Sequence, residues 1–145
     1  MFPTTGLYGV GADAFSTEAV RRVFAVKRRP NRMPLLVMLS DVDDMGKLVR
    51  CVPDFSRPLM ELWPGGITLV FESGEEVPSG LTGGTGKIGI RMPAHPVAKA
   101  LVRYFGGPIT ATSANLSGGP AISDLADLDP RIGVEVDLIV DAGVL

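Results

Sequence analysis

Two groups of residues, far apart in the chain, carry side chains suited to chemistry. Ser113 and Asn115 lie in Pro108–Pro120, where the apolar, β-branched run Ile109–Thr112 breaks into small polar residues and then Gly118-Gly119-Pro120. A hydroxyl, and an amide that both donates and accepts, stand among neighbours small enough for a ligand to approach the backbone. A strand end is also where open α/β sheets bind ligands. The same residue types make ordinary strand-to-turn junctions, so the loop alone leaves both readings open. The second group is Lys27-Arg28-Arg29-Pro30, followed by Arg32. Positive charge concentrated outside regular structure suits a polyanion such as a nucleotide phosphate chain; the plainer alternative is a solvated basic turn. Arg91 is the one charged residue inside an alternating stretch, 87–93, and a buried Arg must be paired or face a ligand. Thr4, Thr5 and Tyr8 offer hydroxyls near the start, either as pocket lining or as parts of a glycine-rich loop.

The elements that position these groups can be read from periodicity. Residues 1–11 hold Pro, two Thr and three Gly, and read as a loop rather than a first strand. Ser16 or Thr17 caps a helix whose stripe is Ala19, Val20, Val23, Phe24 and Val26, and which should stop near Lys27 ahead of Pro30. Pro34–Leu39 is an apolar strand of the kind found inside a two-faced sheet. Short helices are expected over 41–49 and 54–63, with Asp41, Asp43 and Asp44 as an acidic first turn rather than metal ligands. Pro64-Gly65-Gly66 turns into a strand at 67–71, with Trp63 as a core or pocket-wall residue. A polar loop covers 72–87, then comes the strand at 87–93. An amphipathic helix follows at 94–105, with His95 in a capping or surface role at its start. After the Ser/Asn loop, a short helix is expected at 122–128 and an apolar strand at 136–140.

Composition narrows the classes. With 145 residues, 46% hydrophobic and 21% charged, the chain fits one domain with a substantial core. A net charge of −2 implies no long-range basic field, so any nucleic-acid contact must come from a local patch. One cysteine and one histidine exclude an internal disulfide, a four-cysteine zinc site and a histidine relay. No apolar run approaches the ~20 residues of a membrane span, and the start lacks a signal-peptide pattern, so a cytoplasmic protein without membrane contact is expected.

Taken in order, the segments Pro3–Gly9 (Pro-Thr-x-x-x-Tyr-Gly), Lys27/Arg29, Pro64–Thr68 (Pro-Gly-x-x-Thr), Arg91–Pro93 and Ser113/Asn115 resemble the YrdC-like family, the threonylcarbamoyl-adenylate synthases. The resemblance runs through nearly the whole chain. It implies an α/β fold, a twisted mixed sheet flanked by helices (an α+β twisted open sheet), in one domain over 1–145. The family's usual first strand and its closing Ser-Thr segment have no counterpart here, so both ends are expected to be cut from a larger fold. Two local departures stand out: Gly6 where the family carries Thr or Ser, and Arg28 where it usually carries Gly.

The resemblance further implies a nucleotidyltransferase that condenses L-threonine, bicarbonate and ATP, as substrate, to threonylcarbamoyl-AMP and pyrophosphate. Partner transferase proteins then carry the group to tRNA. Lys27, Arg29, Ser113 and Asn115 are the implied catalytic set. Lys27 and Arg29 would face the phosphate chain, and Ser113 and Asn115 the α-phosphate. Thr4, Thr5, Tyr8, Thr68, Arg91 and Pro93 would line the threonine and ATP sites, with Arg91 on a carboxylate. Mg²⁺ is expected with ATP, though no residue cluster supplies a protein ligand for it. Two other readings stay open. One is the carbamoyl-adenylate domain of hydrogenase-maturation carbamoyltransferases, whose accompanying acylphosphatase and zinc-finger segments are absent. The other is a non-catalytic module binding tRNA, double-stranded RNA or the ribosome.

Overall fold

Thr5 and Gly6 fold the start of the chain back on itself. Gly6 takes φ 75°, the left-handed conformation a tight turn asks of glycine, and Phe2–Thr4 (β1) pairs antiparallel with Leu7–Val10 (β2). The loop expected over 1–11 is therefore a hairpin. Its glycines are not loop filler: a Cβ on Gly11 would lie 1.9 Å from the Thr110 carbonyl oxygen, so this position brings two backbones together.

The computed structural model describes residues 1–145. After the hairpin come Thr17–Lys27 (α1), Leu36–Met38 (β3), Arg57–Met60 (α2), Leu69–Glu72 (β4), Ser79–Thr82 (α3), Lys87–Arg91 (β5), Pro96–Phe105 (α4), Ile109–Ser113 (β6) and Pro130–Gly133 (α5). The strands form one six-stranded sheet in the order β1-β2-β6-β3-β5-β4. Only β3 and β5 run parallel; every other pair is antiparallel. This is the mixed sheet flanked by helices that the family resemblance implied.

Strand alternation sorts side chains onto two faces. Tyr8, Val10, Val37, Ile88 and Ile90 join Val20, Val23 and Phe24 of α1 and Leu81 of α3 in the main core. Each such fully buried aliphatic side chain stabilises the fold by about 1.5–3 kcal/mol. On the opposite face Phe2, Met38, Ile109 and Ala111 pack against Ala98 and Val102 of α4. Trp63 is buried, its indole N–H donating to the Ile67 carbonyl.

Helix α1 starts where its cap predicts: Ser16 Oγ accepts from the Ala19 N–H at 3.2 Å. It ends in a Schellman motif, with the Arg28 N–H on the Ala25 carbonyl and the Arg29 N–H on the Phe24 carbonyl. Arg28 itself sits in the left-handed region, φ 51°. The helix thus stops on its own cap geometry, two residues ahead of Pro30.

Several expected elements differ. Val42–Lys47 is a 3₁₀ helix, opened by the Asp41 carboxylate on the Asp43 N–H, and 54–63 divides into a 3₁₀ turn at Asp54–Ser56 and the short α2. The stretch 72–87 holds α3, anchored by buried Leu81 and Thr82. His95 precedes α4, but its side chain makes no capping bond and its Nδ1 is buried without a partner. The helix expected over 122–128 shrinks to the 3₁₀ turn Leu125–Asp127, because the Ile122 and Ser123 carbonyls accept from Tyr8 and Leu145 instead. Short α5, with Pro130 at its first turn and the Asp129 carboxylate on the Arg131 N–H, went unanticipated. Residues 136–140 form no strand; their backbone meets only Met1, through Leu138 and Val140.

Candidate functional site

Beyond α4, the second sheet face is open and forms a cleft of about 170 Å³. Its floor follows from alternation: Leu7 and Gly9 of β2, Leu36 and Met38 of β3, Ala111 and Ser113 of β6 and Arg91 of β5 point the same way. Thr4, Thr5, Gly65, Pro93, Ala94 and Thr112 complete the wall. Register sets the layout. Gly9 stands beside Ser113, Leu36 beside Ala111 and Met38 beside Arg91, so Ser113 and Arg91 stand at opposite ends of the floor with Leu36 and Ala111 between them. The small residues Gly9 and Ala111 keep the floor low. The cleft is smaller than a typical drug-sized pocket of ~300 Å³ or more. It has room for a small molecule, or for one end of a longer one.

Arg91 is half-buried and steadied by Nε donating to Thr68 Oγ1 at 3.0 Å. Its remaining guanidinium N–H groups are free to meet an anion, with carboxylate the natural partner. Thr4 Oγ1 donates to the Leu7 carbonyl at 2.7 Å, and Thr5 is exposed at the hairpin tip. The Ser113 hydroxyl donates to Asn115 Oδ1, while Asn115 Nδ2 donates to the Gly119 carbonyl at 2.6 Å and the Leu116 carbonyl at 3.0 Å. Asn115 therefore closes its own loop and orients Ser113.

Lys27 reaches this loop from behind. It is not part of an exposed basic loop, as the charge run suggested, but the last residue of α1 and 1% exposed. Its ammonium donates to the Ser113 carbonyl, the Asn115 carbonyl at 2.6 Å and Asn115 Oδ1 at 3.2 Å, and its own carbonyl accepts from the Ser117 N–H at 2.9 Å. Burial, then the neighbouring Arg29 charge, pushes the Lys27 ammonium down to about 8. The Schellman cap explains the separation of the two cations: Lys27 points inward while the chain turns away after it. Arg29 is half-buried, donates through Nη2 to the Pro34 carbonyl at 2.9 Å, and leaves Nε without a partner. Burial lowers its pKa.

Of the expected site residues, the structure brings Thr4, Thr5, Arg91, Pro93 and Ser113 into one cleft, with Thr68 and Asn115 bonded to its members. Lys27 and Arg29 do not line it. Tyr8 is a correction: it is fully buried on the other sheet face, its hydroxyl donating to the Gly143 carbonyl at 2.7 Å. Alternation forbids Tyr8 the cleft once Leu7 and Gly9 face it. The apolar floor, Leu7, Leu36, Met38 and Ala111, was not anticipated. Its signal was the i, i+2 spacing with Gly9 and Ser113, legible only after the strands and their register are known. A larger cavity of about 380 Å³ lies between α1, α4 and residues 135–140 and holds none of the candidate residues. No group of three or more His, Cys, Asp or Glu side chains converges.

A mixed six-stranded sheet with helices on its faces and an open cleft beyond α4 defines an α/β domain. The Sua5/YciO/YrdC family model, described as telomere recombination, matches residues 1–145, and the chain belongs to this family. It is 41% identical over 142 residues to a threonylcarbamoyl-AMP synthase of Bacillus subtilis, across 94% of this chain and 41% of that protein. A threonylcarbamoyl-AMP synthase of Coxiella burnetii is 33% identical over 141 residues, across 97% of this chain and 76% of the relative. The crystal structure of P. abyssi Sua5 complexed with L-threonine matches with TM-score 0.90 at 34% identity, across 99% of this chain and 42% of that one. The chain spans about two fifths of the length of the B. subtilis and P. abyssi relatives. No helix is long and apolar enough to cross a membrane.

Proposed function

We propose that this domain performs threonylcarbamoyl-adenylate synthesis: L-threonine, bicarbonate and ATP give threonylcarbamoyl-AMP and pyrophosphate. One observation carries the reading. One cleft of amino-acid size with an apolar floor has Arg91 at one end and Ser113, Thr4 and Thr5 toward the other. Arg91 holds the threonine carboxylate, and the floor of Leu36, Met38 and Ala111 accepts the side-chain methyl. The threonine amine attacks carbon dioxide and gives up a proton to solvent, or attacks bicarbonate and expels water, to form a carbamate. One carbamate oxygen then attacks the α-phosphorus of ATP, the bond to the β-phosphate oxygen breaks, and pyrophosphate leaves. No acid/base dyad is required; the protein aligns the two reactants and stabilises charge on the transferring phosphate.

Ser113 donates to an α-phosphate oxygen after releasing Asn115. Lys27 keeps the loop carbonyls turned away from the phosphates and sets positive charge beneath them, and Arg29 adds a second positive charge for the phosphate chain. ATP would bring Mg²⁺ as its counter-ion, which would neutralise charge on the phosphates. The product passes in the cytoplasm to transferase partners acting on tRNA.

Incubation with ATP, threonine and bicarbonate tests the reading. Pyrophosphate release should require threonine, and Arg91→Ala should raise the threonine KM by ~10-fold or more, the loss expected of a charged hydrogen bond. Release independent of threonine, or RNA binding without turnover, sinks the proposal and leaves the module reading in its place.

A further inference from the structure

Tyr8 was expected in the pocket and lies outside it, yet its bonds lead back to the loop that carries Ser113. Its N–H donates to the Ile122 carbonyl at 2.8 Å, and its carbonyl accepts from the Ala114 N–H at 2.8 Å. Ala114 and Ile122 are buried and bracket the Ser/Asn loop, so one residue clips both ends of it. The phenol holds a third point. It donates to the Gly143 carbonyl at 2.7 Å, accepts from the Ala142 N–H at 2.9 Å and lies 3.3 Å from Asp141 Oδ1. Asp141 Oδ1 in turn accepts from the Gly143 N–H at 2.8 Å, which shapes that turn for the phenol.

We infer that Tyr8 is a positioning residue: through its phenol and its backbone it ties the Asp141–Gly143 turn to both ends of the Ser/Asn loop, and so sets where the Ser113 hydroxyl stands in the cleft. The inference rests on the synthase reading for what Ser113 does there. Ser113 adjoins Ala114, and no other residue bonds to both ends of the loop and to the 141–143 turn. A buried aromatic with its hydroxyl fully used cannot shift without breaking bonds at both places. Small displacements of a group that meets the transition state are costly, up to ~100-fold for about 1 Å.

Tyr8→Phe keeps the ring and removes the hydroxyl; Asp141→Ala disturbs only the far turn and serves if Tyr8→Phe fails to fold. Asp141→Asn keeps the accepting oxygen and should behave as wild type. In both disruptive variants, amide exchange should quicken at Ala114 as well as at Ala142 and Gly143, while Ile88 and Ile90 of β5 keep their protection. The kcat for threonine-dependent pyrophosphate release should fall ~10-fold with the KM for threonine little changed. Faster exchange confined to 142–143, or spread evenly through β5, overturns the inference, as does an unaltered kcat. The exchange arm reads the link whether or not the wild-type chain releases pyrophosphate, so failure of the synthase reading is seen separately.

Discussion

Lys27 shows how a single side chain changes meaning once it is placed. In the charge run it reads as one of several solvated cations; in the fold it is the only lysine in the core, spending its donors on the loop that holds Ser113. Because its folded pKa is the lower one, about 8 against an ordinary 10.5, the unfolded chain binds more protons at this site between those values. Stability therefore rises with pH across that window, and the cost of burying the charge is felt in full below it. Urea denaturation of wild type and Lys27→Met at about pH 8 and about pH 10 should give a difference that shifts toward wild type by no more than about 1.4 kcal/mol per pH unit. A difference that stays flat would mean the ammonium is not buried as described. Arg29, two residues on, has an unpartnered donor and an accessible side. The two cations that look equivalent in sequence thus have unlike tasks.

Among the elements, the end of α1 is the most instructive. The Schellman cap needs a left-handed residue, and the chain places Arg28 there at φ 51°. The family resemblance puts glycine at this position, and the backbone gives the reason: without a Cβ the left-handed region costs nothing. Arg28→Gly should raise stability by about 0.5–1 kcal/mol, since the Arg28–Glu135 pair it removes is exposed and long at 3.4 Å. Thermal or urea unfolding checks this, and a clear loss would assign that pair more weight than its geometry suggests. Strongly periodic elements were legible in the sequence. Helices α1 and α4 and strands β3, β5 and β6 follow from 3.6- and 2-residue patterns over apolar runs. The hairpin was missed because its turn needs only Gly6, and its short strands hold too few apolar residues to mark a period. The strand expected at 136–140 failed for the converse reason: its apolar pattern is strand-like, but its backbone finds only Met1.

At the scale of the molecule, the segment from Val134 onward is held more by polar strapping than by the core. Arg22 donates to Asp137 at 2.7 Å and to the Glu135 carbonyl at 3.0 Å, both on the surface. Arg22→Ala should leave global unfolding nearly unchanged while amide exchange quickens at Val140 and Glu135; a cooperative loss of stability would show the strap to be part of the core. The net charge of −2 is consistent with a domain whose cations act locally, through placement rather than through a long-range field. The sequence by itself determined the periodic helices and strands, because periodicity is a local property, and through the resemblance of its motif segments it pointed to the class of fold, the family and most of the polar residues that line the cleft. Only the tertiary structure decided which face each strand turns to the cleft, and with it the burial of Tyr8, the apolar floor and the inward turn of Lys27. Those depend on register and on the hand of a cap, where a shift of one residue exchanges core for solvent.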